Sequence, residues 1–348
     1  MPKRTKNRPK NKTLKTYKQN ERYIKGLLLE SVLQRLIEKS GFHKDRYFKQ
    51  YNFNFTKIHG RGALHQIDVS GIFKLGVPFV NPILLIGEAK NFYYKVRLQQ
   101  VRSFLGAYVD IMQFNRVRTK EGWSVRYKDI MQPKVTYAPV FFSLKGFTLD
   151  AQALMYAHNI NYLSYENSRV MEKILKLTNR VLKQIKFTKI ITDDFVHFHA
   201  LDALKTLRFE VKKADYDRVV DKLITYTNSI KSYMGTLDRN YPIHVLSEKI
   251  RTPKGRHEIR LVYDTNSRFT IKSLKNREYG EFSLPKNFVY HYVEDANKHN
   301  KNDLIFAQLD LILPSEDNGI SVVHLKVEEN SKKKIIQQII GTNSEAIV

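Results

Sequence analysis

Apolar residues along the chain fall into runs of two periods. Between Gly26 and Ile37, residues Leu28, Leu29, Val32, Leu33, Leu36 and Ile37 recur at helical spacing, and Gly41 follows as a stop. Glu30 borders this stripe on the side of Leu33 and Ile37. A carboxylate there can point along the seam between the helix and its neighbour. Tyr51–Thr56 alternates aromatic and polar residues, as a strand does. Leu64–Leu75 reads as a second strand broken at Gly71, with Ile67 and Val69 on one face and Gln66, Asp68 and Ser70 on the other. Residues 76–81, with Pro78, make a turn. Pro82–Ile86 is a continuous apolar run, expected of a strand covered on both faces. An amphipathic helix over 96–114 comes next, then a buried strand over 135–144 with a bulge or edge at Pro139. A helix over 147–158 and a strand over 160–165 complete the unit. This order predicts an α/β (α+β) fold, a mixed sheet flanked by helices.

Beyond Asn167 the pattern changes. Residues 168–186 read as a helix leading away from this unit. Helices at 199–207 and 214–233 follow, then a β-rich stretch from 243 to 293 with turns at Gly255 and Asn266. The expected division is a basic flexible tail (1–25), an α/β unit (26–166), a linker helix (167–190) and a C-terminal α+β domain (191–348).

Charge narrows the function. The 348 residues carry 60 Lys+Arg against 34 Asp+Glu, a net charge of +26 with His neutral. Such an excess favours a polyanionic partner, nucleic acid first and an anionic membrane surface second. Lys3, Arg4, Lys6, Arg8, Lys10, Lys12, Lys15, Lys18, Arg22 and Lys25 face one acid, Glu21. That run is either an arm held near a polyanion or a solvated start with no specific role. Cysteine is absent, which excludes disulfides, thiolate zinc sites and cysteine nucleophiles. No apolar run approaches the ~18 residues of a membrane span, and no apolar leader is visible. A cytoplasmic location and no membrane partner are expected.

Candidate chemistry lies where the apolar strand ends in Gly87-Glu88-Ala89-Lys90. Period-2 geometry puts Glu88 and Lys90 on one face. Burying these charges is costly unless they pair or bind something. If the two strands form a hairpin, Asp68 lies beside Glu88, and a hard divalent cation would resolve the repulsion between the two carboxylates. Taken alone, such a triplet is more often a surface ion pair, here Glu88 with Lys90 or Lys95. Cations and aromatics interleave nearby: Arg61, Lys74, Tyr93, Tyr94, Lys95, Arg97 and Arg102. Such residues neutralise phosphates and stack on bases. His65 could touch a metal or phosphate, although it shares a face with Ile67 and Val69. Gln100 could meet Lys90 or a phosphate. The polar segment 115–134 suits a lid or a DNA-gripping loop.

Asp68 followed by Glu88-x-Lys90 after an apolar strand resembles the signature of the PD-(D/E)xK nuclease superfamily. The wider pattern is similar to the Mrr-like restriction-endonuclease catalytic domain. It includes a helix carrying Glu30, a helix reading Val101-Arg-Ser-Phe104-Leu-Gly106, a Gly146-Phe147-Thr148 element followed by Ala151, and Asn159-Ile160-Asn-Tyr-Leu163. The resemblance spans about residues 24–165. It departs at Gly60-Arg61-Gly62-Ala63-Leu64-His65-Gln66-Ile67-Asp68, which replaces a Gly-Asp-Gly-Gly-Ile-Asp run, and Ile67 stands where the motif's proline would be.

The resemblance implies a restriction-endonuclease-like core that hydrolyses DNA phosphodiesters with Mg²⁺, for which Mn²⁺ substitutes. Asp68, Glu88 and the Ala89 backbone carbonyl would hold the ion. Lys90 would assist the nucleophile, and Glu30 would be an accessory acid. Double-stranded DNA is then the partner, contacted by Arg61, His65, Lys74, Tyr93, Lys95, Arg97, Gln100 and Arg102. A homodimer would bring one site to each strand. The rivals are a nucleic-acid binder with an inactive nuclease-like core and an RNA-directed nuclease.

The pattern recurs in weakened form near the C-terminus. Ala307-Gln-Leu-Asp310 is similar to His65-Gln-Ile-Asp68, and His324-Leu325-Lys326 to Glu88-Ala89-Lys90. Either a degenerate repeat or chance likeness of two amphipathic hairpins accounts for it.

Overall fold

The computed structural model describes residues 10–43, 57–74, 80–90, 94–113, 116–119, 122–125, 135–185, 200–206, 211, 214–238, 241–248, 257–264, 267–314 and 320–344. The strand expected at 51–56, most of the turn at 76–81, Tyr93 and the turns at Gly255 and Asn266 lie outside them.

The first half is built on a four-stranded mixed sheet. Strand β3 (Val69–Phe73) runs antiparallel to β4 (Ile83–Lys90); β7 (Thr136–Ser143) is parallel to β4, and β8 (Asn161–Ser164) is parallel to β7. Alternation along these strands feeds two apolar layers. Val69, Phe73, Leu85, Ala89, Val140, Phe142 and Leu163 pack under helix α1 (Lys10–Lys39) and its neighbours. Ile72, Leu84, Ile86 and Phe141 pack under α2 (Leu98–Met112) and α3 (Leu149–Ala157). Two short hairpins stand apart, β1 (Lys57–His59) with β2 (Leu64–Gln66), and β5 (Arg116–Thr119) with β6 (Gly122–Val125). The second hairpin occupies the segment expected as a lid.

The second half is barrel-like. Strands β9 (Lys231–Leu237), β10 (Tyr241–Ser247), β11 (His257–Asp264), β12 (Arg268–Ser273), β13 (Glu278–Ser283), β14 (Gln308–Pro314) and β15 (Ile320–Val327) follow the order β10-β9-β14-β15-β11-β12-β13. Leu246 of β10 then pairs with Glu281 of β13 and closes the ring. Phe269, Ile271, Phe282, Leu309 and Leu325 fill one core with Val289 and Val293 of α7 (Lys286–Lys298) and Ile335 and Ile339 of α8 (Glu329–Ser344). The fold is therefore mixed α+β, as expected, with a sheet-rich barrel-like region.

Several expected boundaries shift, each for a physical reason. Helix α1 begins at Lys10, so 10–25 is helix rather than a tail; no proline or glycine interrupts it before Gly26. The second strand breaks at Ile67–Asp68 rather than at Gly71. Gly71 stays inside β3 because Phe42 crosses it: a Cβ there would lie 2.8 Å from the Phe42 Cβ. Residues 214–233 are not one helix, since α6 (Tyr216–Ser229) gives way to β9. Residues from Lys286 are helical rather than β, with Pro285 opening α7 and Val289, Val293 and Ala296 buried at helical spacing.

The expected linker helix is instead a core element. In α4 (Arg169–Leu182), Val170, Met171, Ile174, Leu177, Val181 and Leu182 are buried against α1, α5 (Ala200–Thr206) and α6. Its first turn is held by the buried Glu281 of β13, whose carboxylate accepts from Ser168 Oγ (2.8 Å), Val170 N (3.1 Å) and Arg169 Nε (2.8 Å). Lys39, at the end of α1, donates to the carbonyls of Thr227 (2.9 Å), Asn228 (2.7 Å) and Ile230 (2.9 Å) and so caps α6. Burial pulls its pKa down to about 8.

Between the halves runs a buried polar chain. Tyr165 OH meets His244 Nδ1 (2.6 Å), His244 Nε2 meets Ser232 Oγ (2.6 Å), and Ser232 meets Ser40 Oγ (2.8 Å). Burial pulls the His244 pKa down to about 3. A base whose pKa is depressed by folding stabilises the native state above its unfolded value and loses that contribution as pH falls through the folded value. From about pH 6.5 to 3 the unfolded chain therefore holds one more proton at this site, and the contribution of His244 to native stability falls by about 1.4 kcal/mol per pH unit. His244→Asn is expected to flatten that slope by about one proton. Urea unfolding across this range checks it.

Candidate functional site

The site forms where β3 enters the sheet and β4 leaves it. Val69 lies opposite Gly87, which puts Asp68 beside Glu88 across the hairpin. Main-chain pairing reaches this far, since Asp68 N donates to Gly87 O at 3.2 Å. Asp68 is buried, and its Oδ2 accepts from Ala89 N at 2.9 Å. The Lys90 ammonium is in direct contact with Glu88 Oε1 and lies 3.7 Å from Asp68 Oδ2. One cation thus already bridges the two carboxylates. Alternation in the sequence assigns these three residues to one face, and the structure places them there together.

Their electrostatics follow from burial and from two acids sharing one base. Burial raises the Glu88 pKa, the Asp68 charge raises it further, and Lys90 offsets part of this, leaving it at about 7. Burial works against the Lys90 charge, but Glu88, Asp68 and Glu30 outweigh it, so its pKa is raised. Glu30 therefore lies within electrostatic reach of the cluster, brought there by α1.

Helix α1 is registered on β3 by Gln34. The buried Gln34 side chain accepts from Ser70 N (3.0 Å) and donates to Ser70 O (2.9 Å), imitating a neighbouring strand two residues beyond Asp68. His43 continues this edge by exchanging two main-chain bonds of 2.9 Å with Ile72. On the other side of the sheet, the Gly-Phe-Thr element ties the start of α2 to α3. Val96 N donates to Gly146 O, and Thr148 N to Val96 O, both at 3.0 Å. Gly146 has φ +75° and faces Glu166, where a Cβ would lie 2.7 Å from the carboxylate.

The expected DNA-contacting residues divide. Arg97 lies over the exposed Tyr94 ring at 5.4 Å, a cation–π pair just past the site. Lys95 lies within electrostatic reach of Glu166, and Arg102 is exposed on α2. Gln100 is turned away from the site, since its Oε1 accepts from Arg97 N (2.8 Å) and caps α2. His65 is likewise not directed at a ligand. Its Nε2 sits 2.8 Å from Asp110 Oδ2, near the far end of α2. The same carboxylate accepts from Gly62 N (3.0 Å) and Ala63 N (3.2 Å). His65 foremost, with these two N–H groups, holds the Asp110 pKa below the ordinary range. Arg61 belongs to that wrapped loop, its N–H on Asp110 O (2.9 Å), ten residues along α2 from Gln100, or about 15 Å. Lys74 follows Phe73, which pairs with Ile83, so it sits at the opposite end of the hairpin from Glu88, roughly 15–20 Å away. Lys74 and Asp68 therefore do not share one phosphate.

Gln34 and Asp110 do not stand out in the sequence. Their signal is faint: a lone amide within the apolar stripe of α1, and a lone acid on a helix three turns past the site. Among the described residues, no group of three or more His, Asp or Glu gathers as a ready metal cluster. The C-terminal hairpin repeats the local plan. Asp310 lies opposite His324, Gln308 lies opposite Lys326, and α8 follows β15. There His324 Nδ1 contacts Asp310 Oδ1 at 2.8 Å.

Gln34→Leu would strand the N–H and C=O of Ser70 in an apolar layer. A loss of about 2–4 kcal/mol is expected. Urea unfolding measures it, and faster hydrogen exchange at the Ser70 amide would localise it.

No family model and no curated protein matches the chain. A crystal structure described as "Protein of Unknown Function AF1548" aligns at 13% identity and TM-score 0.30, over 58% of this chain and 98% of that one.

Proposed function

We propose that the chain is a Mg²⁺-dependent endonuclease of the PD-(D/E)xK type, acting on the phosphodiester bonds of double-stranded DNA in restriction or phage defence. The observation that carries this reading is the convergence of Asp68 and Glu88 on the Lys90 ammonium at the end of an apolar strand. The residues fit a hard cation. Two carboxylates share one face, and burial together with their mutual repulsion lifts the Glu88 pKa to about 7, a repulsion that a divalent ion would relieve. Asp68, Glu88 and the Ala89 carbonyl would hold it. When bound, the ion supplies a bound water of lowered pKa and charge neutralisation at the phosphate.

The protein's own groups do the rest. Ala89 N–H fixes the Asp68 carboxylate, and Gln34 fixes the strand that carries it. Lys90, held cationic by its acidic neighbours, stabilises negative charge developing on the attacked phosphate. Glu30 adds negative potential from α1. Arg97 on Tyr94 offers a cation and a ring to the strand beyond the scissile bond. The net charge of +26 favours a polyanionic substrate.

One observation favours a second reading, a nucleic-acid binder with an inactive core: the Lys90 ammonium itself bridges the two carboxylates.

Plasmid DNA and RNA incubated with Mg²⁺, Mn²⁺ or EDTA separate the readings. Cleavage of DNA with either metal and none in EDTA is expected, with Asp68→Asn and Lys90→Gln each slower by about 100-fold or more. Equal loss of substrate in EDTA would overturn the metal mechanism, and binding without cleavage would establish the second reading. A homodimer is expected on light scattering with DNA.

A further inference from the structure

Helices α4 and α6 enclose a groove of about 590 Å³ that plays no part in the site described above. Its walls are cationic. Arg180 and Lys183 project from the end of α4, and Arg218 and Lys222 from the first two turns of α6. The spacings are helical, three residues on α4 and four on α6, so each pair shares a face and the two faces oppose each other. Gln184 and Val219 also line the groove. Among the described residues of the lining the one acid, Asp215, lies 3.4 Å from Arg218. Arg180, Lys183 and Lys222 have no ion pair with any described residue.

A second feature points the same way. Asp215 stands at the N-cap of α6 but gives the helix no side-chain cap. The first-turn N–H groups of α6 therefore lack that partner, and the positive end of the helix adds to the four side-chain charges. Four cations against one carboxylate leave the groove net positive, a field that favours an entering anion. One turn away a carboxylate answers its cation directly, Lys205 with Asp221 at 2.5 Å, whereas among the described residues the groove sets one carboxylate, Asp215, against four cations.

We infer that this groove is a second nucleic-acid contact, holding consecutive phosphates of a backbone strand. The ligand class is that of the proposed function, on which the inference rests to that extent, but the groove uses none of the residues around Asp68. Recognition is by charge, and among the described residues the lining offers no aromatic platform for stacking.

The test uses the full-length chain in EDTA, where catalysis does not intervene. Binding of a labelled DNA duplex is followed across a salt series for wild type, for Arg218→Gln with Lys222→Gln, and for a control, Lys275→Gln with Arg277→Gln. The control removes two exposed charges from the β12–β13 turn. All four side chains are exposed, so folding is expected to persist, and circular dichroism verifies it. The groove variant should bind about tenfold or more weaker at moderate salt, with a log–log salt slope reduced by about two, while the control stays near wild type. Equal slopes for the groove variant and wild type, or an equal fall in the control, would overturn the assignment. Inorganic triphosphate provides the other arm. Displacement of duplex by micromolar triphosphate from wild type alone would mark a small polyphosphate ligand and overturn the backbone reading. Loss of cleavage in Asp68→Asn with this binding intact would leave the groove standing whatever becomes of the nuclease.

Discussion

Two carboxylates and one ammonium at the end of an apolar strand constrain everything around them. An unpaired ion in such a place costs several kcal/mol, and a pair repays that cost only with good geometry and further hydrogen bonds. Asp68 meets this requirement with the Ala89 N–H and Lys90. Glu88 meets it less completely, with Lys90 alone opposing burial and the neighbouring charge, and so its proton is held to near neutral pH. The surplus of negative charge is a local property of the hairpin register. Shifting β3 by one residue would turn Asp68 to the opposite face and dissolve the cluster.

That register depends on an edge strand. Such a strand presents a row of unpaired main-chain groups and slips easily. Here the row is occupied by Gln34 at Ser70 and by His43 at Ile72. Helix α1 thus fixes the register of β3 and, one turn away, brings Glu30 towards Lys90. The same helix reaches the second half of the chain through Lys39 on the carbonyls of α6 and through Ser40 in the buried chain to His244. The acidic pair is positioned by contacts that extend well past residue 166.

Local features were legible in the sequence where local physics decides them. The stripe from Leu28 to Ile37, the doubly covered strand ending in Glu88-x-Lys90 and the alternation around Asp68 each specify their element without help. Features fixed by distant partners were not. Gly71 looks like a strand break until Phe42 is seen crossing it. The amphipathic α4 reads the same whether it leads away or packs back, and Glu281, over a hundred positions on, decides the matter. His65 and Gln100 looked available for a ligand because their partners, Asp110 and the Arg97 N–H, could be found only in three dimensions. After Ser229 the chain enters β9, whose partner β14 lies far along the sequence and crosses Gly235 so closely that a Cβ there would strike the Asp310 carbonyl oxygen.

The junction between the halves has a consequence for how the molecule comes apart. Ser164 pairs with Ser283, making one continuous sheet, while Leu246 and Ile230 from the second half are buried in the same layer as α1. Severing the chain near residue 166 would bare that layer on one fragment and leave His244 and Ser232 without Tyr165 and Ser40 on the other. The polypeptide should therefore melt as one cooperative body, and neither portion is expected to be soluble when expressed by itself.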